Sequence, residues 1–87
     1  MIQAENTSLT YSDQIGYMGT IDLSEDFSIE RKYFLVKNDG EENVKLEVRL
    51  ANMTEFVETI FAPGWNPELV SEIKKDTSIT YDLKYGY

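Results

Sequence analysis

The stretch KYFLVKNDGEENVKLEVRL, residues 32–50, decides the fold class. Its first part is a continuous run of β-forming apolar residues, which is typical of a strand buried on both faces. Its last part alternates charged residues with aliphatic ones, which are Val44, Leu46, Val48 and Leu50. The sequence Asn38-Asp39-Gly40 between the two parts favours a turn, because these residues tolerate positive φ. The stretch therefore predicts an antiparallel hairpin of two strands, 32–38 and 43–50.

Further strand patterns lie on both sides of this hairpin. They occur around Leu9 and Tyr11 and over residues 15–23, 54–61 and 79–85. In the segment 15–23 every second position is apolar, at 15, 17, 21 and 23, with Gly19 in the gap, where it marks either a bulge or a close backbone contact. Together these segments predict six or seven strands.

Both prolines and the one tryptophan of the chain lie in the segment Phe61–Val70. Asn66 is a good N-cap, and Pro67 suits the first position of a helix because its missing N–H costs nothing there. Helical spacing also relates Leu69, Val70 and Ile73. We therefore expect one short helix over residues 67–75, within a single all-β domain, 1–87, that forms a small antiparallel β-sandwich.

Composition excludes several classes of function. The 87 residues include 16 acidic and 8 basic ones, so the net charge of −8 repels nucleic acid phosphates and anionic membranes. Cysteine and histidine are absent, which removes the commonest metal ligand and the commonest general base. We expect no cofactor, no metal and no nucleic acid or membrane partner. The first residues lack the pattern of a signal peptide, so a virion or cytoplasmic location is expected.

The corner around Trp65 has two interpretations. A lone tryptophan in a small domain usually belongs to the core, with the Pro-Gly and Asn-Pro pairs shaping the chain around it. Alternatively the corner is a docking surface, because loops on rigid scaffolds carry binding and tryptophan is enriched at binding hot spots. The partner-binding candidates of this second interpretation are Phe61, Pro63, Trp65, Asn66 and Pro67.

An acidic loop and a set of strand tyrosines are two further candidate ligand sites. The loop Asp22–Glu30 begins with the spacing of a calcium loop, but Phe27 replaces the required glycine and Tyr33 the final glutamate. A solvated connection between strands explains it better. The strand tyrosines are most simply core or cross-strand partners, although an exposed aromatic strip would bind sugar or protein; they are Tyr17, Tyr33, Tyr81 and Tyr85.

Catalytic motifs are missing from the sequence. The adjacent carboxylates Glu25-Asp26 and Glu41-Glu42 lie in turns, whereas acid–base catalysis needs two carboxylates in different environments facing one cleft. No nucleophile elbow, phosphate loop or dinucleotide fingerprint occurs. We therefore expect a protein that is not an enzyme.

The segment Phe34–Val48 resembles the core hairpin of immunoglobulin-like β-sandwiches, which are common in adhesins, extracellular arrays and phage virions. In size, acidity, lack of cysteine and histidine, and its Pro-Gly-Trp-Asn-Pro corner, the chain resembles small accessory proteins of tailed-phage particles. This resemblance implies a structural module that docks on a capsid or tail protein, and it is compatible with a homo-oligomer. The alternative function is a free-standing recognition domain for carbohydrate or calcium.

Overall fold

The structure is a computed structural model, and it describes residues 15–30, 33–79 and 82–87. In these residues the chain forms β1 (Met18–Thr20), β2 (Leu35–Asn38), β3 (Val44–Leu50), β4 (Val57–Phe61), β5 (Gly64–Trp65), β6 (Val70–Ile73) and β7 (Leu83–Gly86). A four-stranded sheet has the order β1-β7-β2-β5, and a three-stranded sheet has the order β4-β3-β6. The predicted all-β class is confirmed, and two antiparallel sheets over one core are consistent with a small β-sandwich. The strand predicted around Leu9 and Tyr11 lies outside the described residues.

One apolar core receives side chains from both sheets. Its buried members are Ile21, Leu23, Phe34, Val36, Val44, Leu46, Val48, Phe61, Val70, Ile73 and Leu83. Full burial of one such side chain contributes about 1.5–3 kcal/mol, so this cluster is the main source of stability. The alternation predicted for residues 43–50 is confirmed, because the aliphatic residues lie in or against the core while Lys45 and Glu47 are exposed.

The predicted hairpin of residues 32–38 and 43–50 is wrong. Strand β2 belongs to the four-stranded sheet, where β7 and β5 occupy both of its edges, and β3 belongs to the other sheet. Strand β3 instead forms its hairpin with β4, with Val44 opposite Phe61 and Val48 opposite Val57. The segment that follows Asn38 therefore carries the chain from one sheet to the other.

Asn38 is the physical reason for this crossing. Its side chain is buried, and its Oδ1 accepts the N–H of Gly40 at 2.8 Å. Its Nδ2 donates to the carbonyl of Glu42 at 2.7 Å and to that of Phe61 at 3.0 Å. These bonds hold an Asx turn that points into the core, unlike a type I′ hairpin turn, whose two central residues need positive φ. The glycine with positive φ in this chain is Gly64, at 93°.

The predicted helix over residues 67–75 is also wrong, since residues 70–73 form β6, which pairs with β3. The register places Glu72 opposite Arg49 and Val70 opposite Leu50, which leaves Ser71 as an extra residue in a β-bulge. The bulge turns Val70 and Ile73 towards the same core. An apolar pair three residues apart therefore arises without any helix, and it imitates helical spacing.

The remaining predicted strands are confirmed with different bounds. Strands β1 and β4 lie within the predicted segments 15–23 and 54–61, and β7 overlaps the predicted 79–85, of which residues 80–81 are not described. Gly19 marks a close contact, because a Cβ there would be 2.7 Å from the ring of Tyr85. The two-residue strand β5 was not predicted from the sequence. It is the strand that carries Trp65.

Candidate docking surface

The five partner-binding candidates occupy two different environments. Phe61 is fully buried in the core and Asn66 is buried beside it, so neither side chain is offered to a partner. Pro63, Trp65 and Pro67 are exposed. The corner is therefore partly a structural element and partly an accessible surface, and the docking role stays a prediction for its exposed residues.

Asn66 closes the corner instead of capping a helix. Its Nδ2 donates to the carbonyls of Ala62 at 2.9 Å and Gly64 at 3.1 Å, and its Oδ1 accepts the N–H of Ala62 at 3.1 Å. Its own backbone N–H donates to the carbonyl of Val36 in β2 at 3.0 Å. The buried side-chain amide thus satisfies three backbone groups of the 62–66 loop, and the backbone bond to Val36 holds the end of β5 at the edge of the four-stranded sheet.

Trp65 lies on the outer face of that sheet. It pairs with Lys37 of β2, yet its ring reaches past β2 to β7, where a Cβ on Gly86 would be 2.6 Å from Cη2. A methyl of Ile15 would be 2.7 Å from the same point, so the indole and Ile15 meet over Gly86. The side chain still leaves 40% of its surface exposed. The Trp65 ring is therefore packed on the outer face of the sheet, outside the core, and remains partly exposed to solvent.

A shallow groove of about 310 Å³ lies beside this ring. Its lining residues, which define the Trp65 groove, are Ile15, Gly16, Tyr17, Met18, Lys37 and Trp65. Met18 is 50% exposed, so Met18 and Trp65 are two large, accessible side chains at the groove. Tyr17 alternates with Met18 along the strand, and its ring lies on the opposite face with Tyr85 and Tyr87. Met18 was not identified from the sequence, although it is an apolar residue at an outward-facing position of the segment 15–23.

Among the described residues, one charged side chain, Lys37, lines the Trp65 groove, and it is already paired. Lys37 Nζ is 3.2 Å from one carboxylate oxygen of Asp39, and Lys84 Nζ is 3.4 Å from the other. The hydrogen bond from Lys37, assisted by Lys84, holds the pKa of Asp39 below its ordinary value. The groove lining is therefore mixed: Ile15, Met18 and Trp65 supply its apolar part, and its charges lie along one side.

The tyrosines form a cluster at one end of the four-stranded sheet. The Tyr17 ring stacks on that of Tyr87 at 5.2 Å, and it is 6.0 Å from the ring of Tyr85. Tyr85 packs against the core, and the interaction with the Tyr17 side chain raises its pKa. Tyr85 is therefore the cross-strand partner that the sequence predicted, Tyr17 and Tyr33 are exposed, and Tyr81 lies outside the described residues.

The acidic loop Asp22–Glu30 uses its carboxylates on backbone groups. Asp22 accepts the N–H of Ser24 at 2.9 Å, and this bond lowers the pKa of Asp22. Asp26 accepts the N–H of Lys75 at 2.8 Å and so ties the loop to the residues after β6. Over the described ranges, no three acidic side chains converge as ligands of a metal ion.

The outer face of the three-stranded sheet has a different character. Each charged residue of β3 has an opposite charge beside it: Lys45 pairs with Glu58 of β4 at 3.9 Å, Arg49 with Glu72 of β6 at 2.6 Å, and Glu47 with Lys74, directly after β6, at 3.7 Å. Such exposed pairs add little stability, but they keep the face well hydrated. Ile60, which is 56% exposed, is a large apolar residue beside these ion pairs.

A second groove, of about 330 Å³, opens near the end of the same sheet. Its lining includes Tyr33, Met53, Arg49 and Ser71. Arg49 is held there by Glu72, and its guanidinium lies 5.7 Å from the ring centre of Phe56.

Comparison with protein-family models, with curated proteins and with solved structures found no match for this chain. The described residues contain no helix of the length and apolarity that crossing a bilayer requires.

Proposed function

We propose that this protein is a non-enzymatic structural module that docks on a larger protein assembly through the Trp65 groove. The observation that carries the proposal is the contrast between the two outer faces. One face carries three ion pairs made by β3, whereas the other presents Trp65 and Met18, beside Ile15, at a groove. Adjacent exposed apolar side chains on a small domain mark an interaction surface.

The position of the tryptophan ring supports protein binding. Trp65 is seated against Ile15 and Gly86 before any partner arrives, so little side-chain freedom is lost on binding. Tryptophan is also among the residues that contribute most to the free energy of protein association. A half-exposed, immobilised ring beside Met18 therefore has the properties of an anchor.

A protein partner is favoured over a carbohydrate. Carbohydrate sites combine an aromatic platform with polar groups that fix the hydroxyls. Ile15 and Met18 flank the ring of this groove, and its charged side chain, Lys37, is paired with Asp39. The calcium alternative has less support, because Asp22 and Asp26 bind backbone N–H groups of the loop and of the segment after β6.

The more specific proposal is a virion accessory protein that docks on a capsid or tail protein, with a virion or cytoplasmic location. It rests on the resemblance of the sequence to small tailed-phage accessory proteins. The immunoglobulin-like class is part of the same resemblance. The strand order β1-β7-β2-β5 and β4-β3-β6 differs from the ABED and CFG sheets of immunoglobulin domains, so the proposal concerns a sandwich with its own connections.

The proposal is tested by two matched substitutions. Met18→Lys places a charge in the Trp65 groove, and Ile60→Lys places the same charge on the outer face of the other sheet. Both residues are exposed in strands, so both variants should fold like the parent chain. Each variant is expressed in the source cells, and native lysates are sedimented and assayed for the chain by mass spectrometry.

We expect the parent chain and Ile60→Lys to sediment with large particles at fixed stoichiometry, and Met18→Lys to remain in the light fraction. If the parent chain itself remains in the light fraction, the assembly role is wrong. If Met18→Lys sediments as well as the parent chain, the docking surface is not the Trp65 groove.

A further inference from the structure

We infer that the partner of the Trp65 groove is a protein surface with basic side chains beside an apolar anchor. This inference rests on the proposed function and specifies the chemistry of the partner. It depends on the charges that border the groove, and these follow from the strand register of the four-stranded sheet.

The register places three aspartates in one row. The hydrogen bond from the N–H of Ile21 to the carbonyl of Leu83 extends the β1–β7 ladder, so Asp22 and Asp82 are the next pair along it. The N–H of Asp39 donates to the carbonyl of Asp82 at 3.0 Å, which extends the β2–β7 ladder in the same direction. Asp22, Asp82 and Asp39 therefore lie side by side across three strands.

This row belongs to the same face as the groove. Side chains alternate along a strand, so Asp82 shares a face with Lys84, and Asp39 shares one with Lys37. Lys37 lines the groove, and both lysines contact the carboxylate of Asp39. The outer face thus passes from apolar side chains, through two lysines, to a row of carboxylates.

The two lysines do not neutralise the row of three aspartates. Asp39 is the described partner of both of them, and neither Asp22 nor Asp82 has an ion pair with any described basic side chain. Both are exposed. The two lysines and three aspartates leave one net negative charge on the face, with the unpaired carboxylates at its far end.

A basic partner fits this arrangement better than a second copy of the chain does. Two copies would each bring a net charge of −8, and their mutual repulsion opposes association. A surface with an apolar side chain for the groove and lysine or arginine opposite Asp22 and Asp82 gains attraction at the same positions. Complementary charge of this kind mainly accelerates association and excludes wrong partners.

The test uses three synthetic peptides of equal length with blocked termini: alternating leucine and lysine, alternating leucine and glutamate, and alternating serine and lysine. Binding is followed by Trp65 fluorescence and by amide chemical shifts of the full chain. The double variant Asp22→Asn, Asp82→Asn removes the two carboxylates at the far end of the outer face, beyond the lysines. The double variant Glu25→Gln, Glu55→Gln removes the same charge from exposed positions elsewhere.

We expect the leucine–lysine peptide to shift the Met18 amide and the Trp65 indole, with an affinity about tenfold above that of the other two. The aspartate double variant should lose most of that preference, and the glutamate double variant should keep it. Raising the salt concentration should weaken binding of the leucine–lysine peptide selectively.

Each other outcome contradicts a different statement. Equal binding of the leucine–glutamate peptide in the groove overturns the inference and leaves the docking surface in place. Equal binding of the serine–lysine peptide overturns it as well, because the contact is then electrostatic alone. If neither leucine peptide shifts the groove residues, or if the chain alone associates through them, both the basic partner and the proposed docking on another protein fail.

Discussion

The indole of Trp65 lies directly against the backbone of Gly86, two strands away in the same sheet. A Cβ on residue 86 would be 2.6 Å from Cη2 and 3.1 Å from Cζ3 of the ring. Real Cβ atoms do not approach other atoms to the first of these distances, so glycine is required for the ring to occupy this place. The shape of the docking surface therefore depends on the absence of one methyl group.

Gly86→Ala should displace the Trp65 ring from the sheet. The new methyl group would also be 2.7 Å from a methyl of Ile15, so both side chains must move, at a cost of about 1–3 kcal/mol in the free energy of unfolding. Urea denaturation measures the cost, and a red shift of tryptophan emission reports the displaced ring. Gly16→Ala is the control, because its Cβ would meet only the carbonyl of Tyr87 at 3.7 Å. An unchanged emission spectrum in Gly86→Ala would contradict the described position of the ring.

Asn38→Asp should destabilise the fold more than Asn38→Ala does. The amide Nδ2 donates to two carbonyls, and a carboxylate oxygen in its place would repel both of them inside the core. Leaving buried carbonyls without a donor costs about 1–3 kcal/mol, and the buried charge adds to this. Denaturant midpoints at neutral pH measure both variants. Asn43→Asp, an identical change at an exposed position of the same connection, should be nearly neutral; similar losses at 38 and 43 would refute the role of Asn38.

The ion pairs of Asp39 should make a pH-dependent contribution to stability. Lys37 and then Lys84 lower the pKa of Asp39 in the folded state below its ordinary value of 3.8. The stabilisation is therefore complete well above pH 3.8 and is lost as the pH falls through the lower, folded-state pKa. Asp39→Asn should be less stable than the parent chain at neutral pH, and the difference should vanish in acid.

Urea denaturation of both chains at neutral pH and at about pH 2.5 measures this change. Glu41→Gln, in the same connection, serves as the control for removal of one negative charge. A difference between the parent chain and Asp39→Asn that stays constant with pH would mean that the two lysines do not act through the ionised carboxylate.

Deletion of Ser71 should be far more damaging than Ser71→Ala. The alanine variant loses the hydrogen bond from Ser71 Oγ to the carbonyl of Arg49 at 2.9 Å, which costs about 1 kcal/mol. Deletion removes the bulge and brings Val70 and Ile73 about 3.3 Å closer together along the strand. The backbone bonds of Val70 to Phe34 and of Ile73 to Phe27 can then no longer form together. Circular dichroism and thermal unfolding compare the two. Equal stability of both variants would show that the bulge is not needed to bury Val70.

The sequence predicted the fold class because its alternating segments are long and regular. Residues 44–50 were assigned correctly, since burial of one face leaves only one pattern of side chains. The pairing partner of a strand could not be predicted in this way, because a turn such as Asn38-Asp39-Gly40 permits either a hairpin or a connection that crosses to the other sheet. The choice was made by Asn38, whose amide bonds a carbonyl of Phe61, far away in the sequence.

The helix over 67–75 was predicted for a related reason. A spacing of three residues fits both a helix and a bulged strand, and only the partner strand β3 distinguishes them. At the candidate site, Trp65 could be found from its composition and its flanking turns. The sequence could not show that Phe61 and Asn66 are buried while Trp65 is partly exposed, because burial at a corner depends on the fold of the rest of the chain. Gly86 could not be found at all, since its neighbour Trp65 is brought to it only by the sheet order.

The route of the chain between the two sheets has a consequence for how the molecule forms. The connections that follow β2, β4, β5 and β6 each lead from one sheet to the other. Neither sheet is formed by a continuous piece of sequence, so neither sheet can be completed before the other has begun to form. Apart from the hairpin of β3 and β4, the strand pairs join segments that are distant in the sequence. Closing such long loops slows folding in proteins dominated by distant contacts. The two halves of this sandwich therefore acquire their structure in one concerted, comparatively slow event, and they lose it together.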